Sequence, residues 1–427
     1  MYFCSHCDAQ YLKWQGRCAE CGKWGTIAEN GDNPKAKSKS KSKSASAAPV
    51  LDLASAKAGS AKHVATNISE LDRVLSGGIV PGSVTLLAGE PGIGKSTLVA
   101  QMAASFAKKD ASSYYVSGEE SESQVLMRLE RLNIKPENIL FSNTVEVSSI
   151  IAAAEKSKPS IIFVDSIQTM LLEEAGSMPG SPSAVRAATS EFIGFAKRTS
   201  IPVMIIGQVT KEGSVAGPKT LEHLVDTVLT LEGDTQNVYR MLRAGKNRFG
   251  STDEVGVFEM TAKGMEAVEN PSARFLEERS GGPGSVISCV MEGTRPFLVE
   301  IQALAEKSLY PNPVRRTSGF DSGRLQMLLA IISKRAGVSV ANQDIYVNVV
   351  GGMKVHEHAA DLAVCAAIIS SVKDKALPKD AMVIGELGLG GEVRSVPFLE
   401  KRIKEAERLG IKTSFTPKNT KNVKELF

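Results

Sequence analysis

The nine residues 89–97, GEPGIGKST, set three glycines, a lysine and two hydroxyls in the order a polyphosphate needs. They fit the pattern G-x4-G-K-[ST] and follow the apolar run VTLLA. Gly89, Gly92 and Gly94 free the backbone to close into a cradle of N–H donors, with Glu90, Pro91 and Ile93 between them. Lys95 is expected to reach the β- and γ-phosphates, and Ser96, beside Thr97, to ligate Mg²⁺. A helix beginning at Lys95 turns the positive end of its dipole toward the same phosphates.

Phosphoryl transfer needs further groups, and the chain offers them at strand ends. IIFVDS closes a buried apolar run on Asp165, placed to hold Mg²⁺ through water. Glu119 and Glu120 follow YYVSG; a glutamate there polarises an attacking water, and acids also suit a helix start. Gln208 ends VMIIGQ, where it can contact a γ-phosphate or simply cap the strand. Some 150 residues beyond the glycine-rich loop, RAGKNRFG puts Arg243, Lys246 and Arg248 within six positions. Such a charge run is ordinarily a solvated hairpin end.

A second chemistry stands at the N-terminus. In CSHCDAQYLKWQGRCAEC, Cys4, Cys7, Cys18 and Cys21 form two CxxC pairs ten residues apart. Two such turns complete a tetrahedral, closed Zn²⁺ shell, which is structural because no position is left for water. A module of ~30 residues buries too little surface to fold alone, so the metal would supply the missing stability. Redox dithiols and a disulfide pair are the alternatives. His6 is not needed as a fifth ligand.

The elements that must position these groups are readable in outline. SVTLLAG, SSYYVSG, PSIIFVD and PVMIIGQ are short apolar runs separated by helical segments 95–109, 121–132 and 183–199, a pattern that predicts a mostly parallel sheet covered by helices. DTVLTLEG and VYRMLRAGKNR read as hairpin strands added at its edge. Residues 34–48, PKAKSKSKSKSASAA, hold no apolar side chain larger than Ala and read as a solvated tether. Pro and Gly punctuate a further boundary at 269–285. The expected divisions are a zinc module at 1–30, a linker at 31–60, a P-loop domain at 61–270 and a C-terminal domain at 271–427. With 427 residues, 42% hydrophobic and 23% charged, the composition is that of a soluble multidomain protein. Neither a signal peptide nor an apolar run of ~18 residues is present, so a cytoplasmic protein without membrane contact is expected. The net charge of +4 says little about partners.

Taken in order, the strand, P-loop and helix, GEES, IIFVDS and IIGQVTKEG resemble the RecA/DnaB-type ATPase core. With the four-cysteine head and KNRFG added, essentially the whole chain resembles the RadA (Sms) family of bacterial DNA-repair proteins. That resemblance implies an α/β fold: a RecA-like parallel-sheet core, the zinc module, and an α+β Lon-protease-like C-terminal domain. It implies ATP as the nucleotide, Glu119 as the catalytic glutamate, and Lys246 and Arg248 at a subunit seam, sensing a neighbour's γ-phosphate. A homo-oligomeric ring, hexameric in the family, is implied, as are single-stranded and branched DNA and the RecA recombinase as partners. The implied activity is a DNA-dependent ATPase that unwinds and extends branch migration. A KaiC-like signalling ATPase, which shares the paired glutamates, is the alternative. The loop at 210–223 is the candidate DNA contact.

GGMKVHEHAADLAVCAAIISS and GEVRSVPFLEK resemble the proteolytic domain of Lon, whose chemistry needs a serine activated by a lysine. Ala359 falls at the serine position and Glu400 at the lysine position, so proteolysis is not expected. His358 stands where the family has Pro. Arg315, Arg316 and Arg324 offer a cationic surface for phosphates.

Overall fold

The described residues of the N-terminal segment build a small core around two thiols. In the computed structural model, strand β1 (Tyr2–Cys4) pairs antiparallel with β2 (Gln10–Tyr11) and β3 (Ile27–Glu29). The core of this sheet is Cys4, Cys18 and Ile27, with Tyr2 and Tyr11 packed against it. The structure describes residues 2–4, 10–11, 13–20, 22–29, 62–108, 110–172, 178–208, 221–233, 239–277, 279 and 281–427. Met1–Gly59 is one compact unit and Ser60–Phe427 another.

The second unit opens with α1 (Ser69–Val74) and then alternates strand and helix: β4 (Val84–Gly89), α2 (Lys95–Phe106), β5 (Ser113–Ser117), α3 (Glu122–Arg131), β6 (Ile139–Ser142), α4 (Val147–Ser157), β7 (Ile161–Asp165), α5 (Pro182–Thr199) and β8 (Val203–Gln208). A meander follows: β9 (Thr227–Glu232), β10 (Tyr239–Asn247), β11 (Val255–Thr261) and β12 (Gly264–Ala267). The nine strands lie in the order β12-β11-β10-β9-β4-β8-β7-β5-β6. From β9 to β6 every pair is parallel, and β10 to β12 run antiparallel. β4, β5 and β7 are buried along their whole length, as strands covered on both faces must be. One face packs on α2 and α3 through Leu98, Met102 and Val125; the other packs on α4 and α5 through Ile150, Phe192 and Phe195. The P-loop strand is therefore central, with its C-terminal end at the covered rim where ligands bind in such sheets.

Two features depart from the sequence expectation. Residues 139–157 form a further strand and helix, β6 and α4, at the far edge. β9 and β10 pair antiparallel as the expected hairpin, with β9 beside β4 and parallel to it, but β11 and β12 carry the meander on to four strands.

The chain then passes through α6 (Pro271–Leu276) into β13 (Ser285–Glu292), β14 (Arg295–Lys307), β15 (Arg315–Ser318), α7 (Ser322–Ile331), β16 (Gln343–Val349), α8 (Asp361–Val372), β17 (Ala381–Val383), β18 (Glu386–Leu387), β19 (Val393–Arg394), α9 (Leu399–Arg408) and β20 (Thr413–Phe415). Six of these strands make a mixed sheet, β15-β16-β14-β13-β17-β20. α8 is apolar all round, as a helix enclosed by its neighbours must be. A buried carboxylate ties the two sheets: Glu70 accepts from Val257 N at 2.9 Å and pairs with Arg73 and Arg295. Arg243 of β10 bridges Glu232 and Glu292 in the same seam.

Ala359 is buried, and Glu400 lies on the surface paired with Lys418. Arg324 is also withdrawn from any cationic surface: its guanidinium grips buried Asp361, with Nε at 3.1 Å from Oδ1, and Leu387 O. Arg316 is exposed and Arg315 half-buried.

Candidate nucleotide site

The glycine-rich loop leaves β4 at Gly89 and enters α2 at Lys95. Gly92 (φ +77°) and Gly94 (φ +114°) take left-handed backbone, which a side chain resists. Space is equally short: a Cβ on Gly94 would lie 2.5 Å from Met260 Cε, and one on Gly89 2.7 Å from Leu231 O. Lys95 is 7% exposed, and its ammonium donates to Gly89 O at 2.9 Å and Glu90 O at 2.8 Å. Burial pulls its pKa down, opposed by Asp165 and Glu119. The lysine is folded onto the loop it would leave for a phosphate.

The loop forms one wall of a cavity of about 380 Å³. Ser96, Thr97, Glu119, Asp165 and Gln208 line it too, so the structure brings together the P-loop and the three strand-end groups. The strand order explains the meeting. β4, β8, β7 and β5 are successive neighbours, and their C-terminal ends deliver Gly89, Gln208, Asp165 and the Glu119 turn to one rim.

Within that rim the polar groups are tightly held. Glu119 accepts from Ser166 Oγ and from Gln208 Nε2, the latter at 3.1 and 3.3 Å. Gln124 accepts from Ser121 N at 2.8 Å, starting α3 directly after the glutamates. Glu120 turns away from Glu119 and pairs with Arg128. Asp165 accepts the Tyr115 hydroxyl at 2.8 Å.

Tyr115, Arg128, Arg131 and Ser166 were not singled out by the sequence argument. Arg128 and Arg131 stand three apart on α3 and both line the cavity, a spacing that could have flagged them. Arg128 Nη1 and Glu120 Oε2 are buried without a hydrogen-bond partner among the described residues. A tight backbone cradle, a buried lysine and a guanidinium with one unpartnered nitrogen fit a polyphosphate; the Ser96 hydroxyl and the Asp165 carboxylate are oxygen donors suited to Mg²⁺.

Lys246 and Arg248 are not brought to this cavity. Lys246 pairs with Val228 and Asn247 with Thr227, which in turn pairs with Thr85. The pair of cations thus sits at the N-terminal end of β4, opposite the P-loop. Lys246 donates to Glu222 O and Val225 O at 2.8 Å each, and Arg248 pairs with Asp226 at 3.1 Å. Desolvation, and then the Arg248 charge, lower the Lys246 pKa. Asp226 also accepts from Val84 N at 3.0 Å, so the KNR segment is fastened to the root of the central strand.

At the N-terminus Cys4 and Cys18 are fully buried. Their sulfurs lie 3.2 Å from Thr26 Oγ1 and 3.1 Å from the Tyr11 hydroxyl, respectively. Cys7 and Cys21 lie outside the described residues, as do 210–220 of the candidate DNA loop. Two buried thiols at the heart of so small a core fit a thiolate-bound metal.

Full-length relatives decide the family. The DNA repair protein RadA of Aquifex aeolicus is 46% identical over 418 residues, covering 98% of this chain and 93% of its own. Its namesakes in Pseudomonas aeruginosa and Escherichia coli are 44% and 42% identical, over 98% and 97% of this chain and 92% of each relative. The chain belongs to the RadA family. Family models match in pieces: the KaiC ATPase at residues 64–147, the rubredoxin metal binding domain at 2–29, and subunit ChlI of Mg-chelatase at 324–420. The RadA-family chain is thus a RecA-like P-loop ATPase with an N-terminal zinc ribbon. Among solved structures, the RadB recombinase aligns with 48% of this chain and 99% of its own at 23% identity, with a TM-score of 0.39. Among the described residues, no helix is long and apolar enough to cross a membrane.

Proposed function

We propose that this protein is a cytoplasmic, DNA-dependent ATPase of recombinational repair. It works as a hexameric ring on single-stranded and branched DNA, promoting unwinding and branch migration of intermediates made with the RecA recombinase. The observation that carries this is the identity of 42–46% to DNA repair RadA proteins across nearly the whole chain. KaiC-like signalling has support only from the model matched at residues 64–147, inside the ATPase core both readings share.

The chain divides into a zinc module at 1–30, a linker at 31–60, an ATPase domain at 61–270 and a proteolytically inactive Lon-like domain at 271–427. Cys4, Cys7, Cys18 and Cys21 hold Zn²⁺, which folds the module and takes no part in hydrolysis. The backbone of 89–97 and Lys95 hold the ATP phosphates. Ser96 and, through water, Asp165 hold Mg²⁺, which when bound neutralises charge on the phosphates. Glu119 orients and deprotonates the attacking water; Ser166 and Gln208 keep its carboxylate in place. Gln208 leads straight into the loop that contacts DNA, so its amide couples the two sites. Lys246 and Arg248, set at the far end of β4 from their own P-loop, act on the nucleotide of the adjacent subunit.

The test is ATP turnover with and without single-stranded DNA across a salt series. Stimulation that fades steeply as salt rises is expected. Turnover indifferent to DNA at low salt would rule the motor out.

A further inference from the structure

Tyr115 is a buried group to which the reading above gives no role. It is 1% exposed, with its ring in the core beneath α2 and stacked at 6.4 Å on Phe141. Its hydroxyl donates to Asp165 Oδ2 at 2.8 Å. The register explains the reach: Ser117 pairs with Asp165 across parallel strands, and Tyr115 stands two residues back on the same face. Phe would fill this apolar site as well as Tyr, and a buried hydroxyl costs stability unless partnered. Its hydrogen-bond partner is the carboxylate at the mouth of the phosphate cavity.

We propose that Tyr115 is a positioning residue that leaves Asp165 one free oxygen to hold the waters of the cation, and so tunes the site to Mg²⁺ over Ca²⁺. The proposal rests on the cavity being the nucleotide site. Mg²⁺ demands near-octahedral geometry and keeps its waters, whereas Ca²⁺ takes more oxygens and accepts both arms of a carboxylate. With one lone pair of Oδ2 taken by the hydroxyl, closing on a cation with both oxygens would crowd or break that bond. The same charge-assisted bond stops the carboxylate rotating, which a rigid water shell requires and a loose one does not.

Tyr115→Phe in the full chain tests this by equilibrium binding, with a fluorescent nonhydrolysable ATP analogue read by anisotropy in EDTA, Mg²⁺ or Ca²⁺. Affinity in EDTA should match wild type. The tightening by Mg²⁺ should fall about 10-fold, the worth of one hydrogen bond to a charged group, while that by Ca²⁺ holds or grows. An unchanged ratio of the two cation effects, or an equal loss in both, overturns the proposal. Asp165→Asn keeps an acceptor for the hydroxyl and must remove the Mg²⁺ effect; if it does not, Asp165 takes no part in holding the cation and the proposal falls. Wild-type protein that binds no analogue under any condition refutes the nucleotide reading instead.

Discussion

Lys95→Met and Arg248→Ala should each nearly abolish ATP turnover alone, yet restore part of it when the two chains are mixed before assembly. Lys95 heads α2 at one end of β4, and Arg248 follows β10 at the other. β4 is six residues long, so about 20 Å separates the two groups within a chain. Arg248 is therefore out of reach of its own chain's phosphates, and on the proposed reading it serves a phosphate held by another chain. Its loss should lower kcat about 10³-fold, the lower end for a finger supplied in trans. It should hardly affect folding, because the guanidinium is 52% exposed in its pair with Asp226 and such pairs contribute at most about 1 kcal/mol. A competent seam needs intact Lys95 on one side and intact Arg248 on the other. In an equal mixture about one seam in four has both, so phosphate release should recover to about a quarter of wild type. A mixture no faster than the mean of its parents, or Arg248→Ala alone at the wild-type rate, would refute the shared seam.

Glu119→Gln should bind nucleotide normally but lose at least about 10²-fold in kcat, measured by anisotropy and phosphate release on the same preparation. Glu70→Ala strands Arg295 and Val257 N at the junction of the two sheets and should cost about 3 kcal/mol in urea unfolding. Glu146 caps α4, accepting from Ser148 N at 2.9 Å and from Ser149 N, and these bonds hold its pKa below the usual carboxylate value. Because the folded pKa is depressed, its contribution is present above the unfolded pKa and lost as pH falls through the folded one. Glu146→Ala should therefore lower stability by about 1 kcal/mol at neutral pH, with a difference in thermal melting that shrinks in acid.

The P-loop and its flanking strands were legible because each is a contiguous signal: glycines at fixed spacing, then fully buried runs such as IIFVD. β6 was not, because ILFS is four residues at a half-exposed edge, too short a run to stand out. The contacts that hold the site were hidden for another reason. Gln208 and Glu119 are 89 residues apart and meet only because β8 and β5 both flank β7, a matter of strand order rather than local pattern. Tyr115 reads as one more core aromatic until β7 is set beside it. Lys246 is anchored by backbone carbonyls, which no side-chain motif encodes.

The locked joint at Glu70 has a mechanical corollary. A carboxylate sunk between α1, β11 and β14, with Arg243 cross-bracing beside it, resists a swivel between the two sheets, because any such motion would have to break buried ion pairs. On the proposed motor reading, work released at the phosphates is passed on through the chain that follows Gln208 rather than spent in a wagging of the C-terminal half.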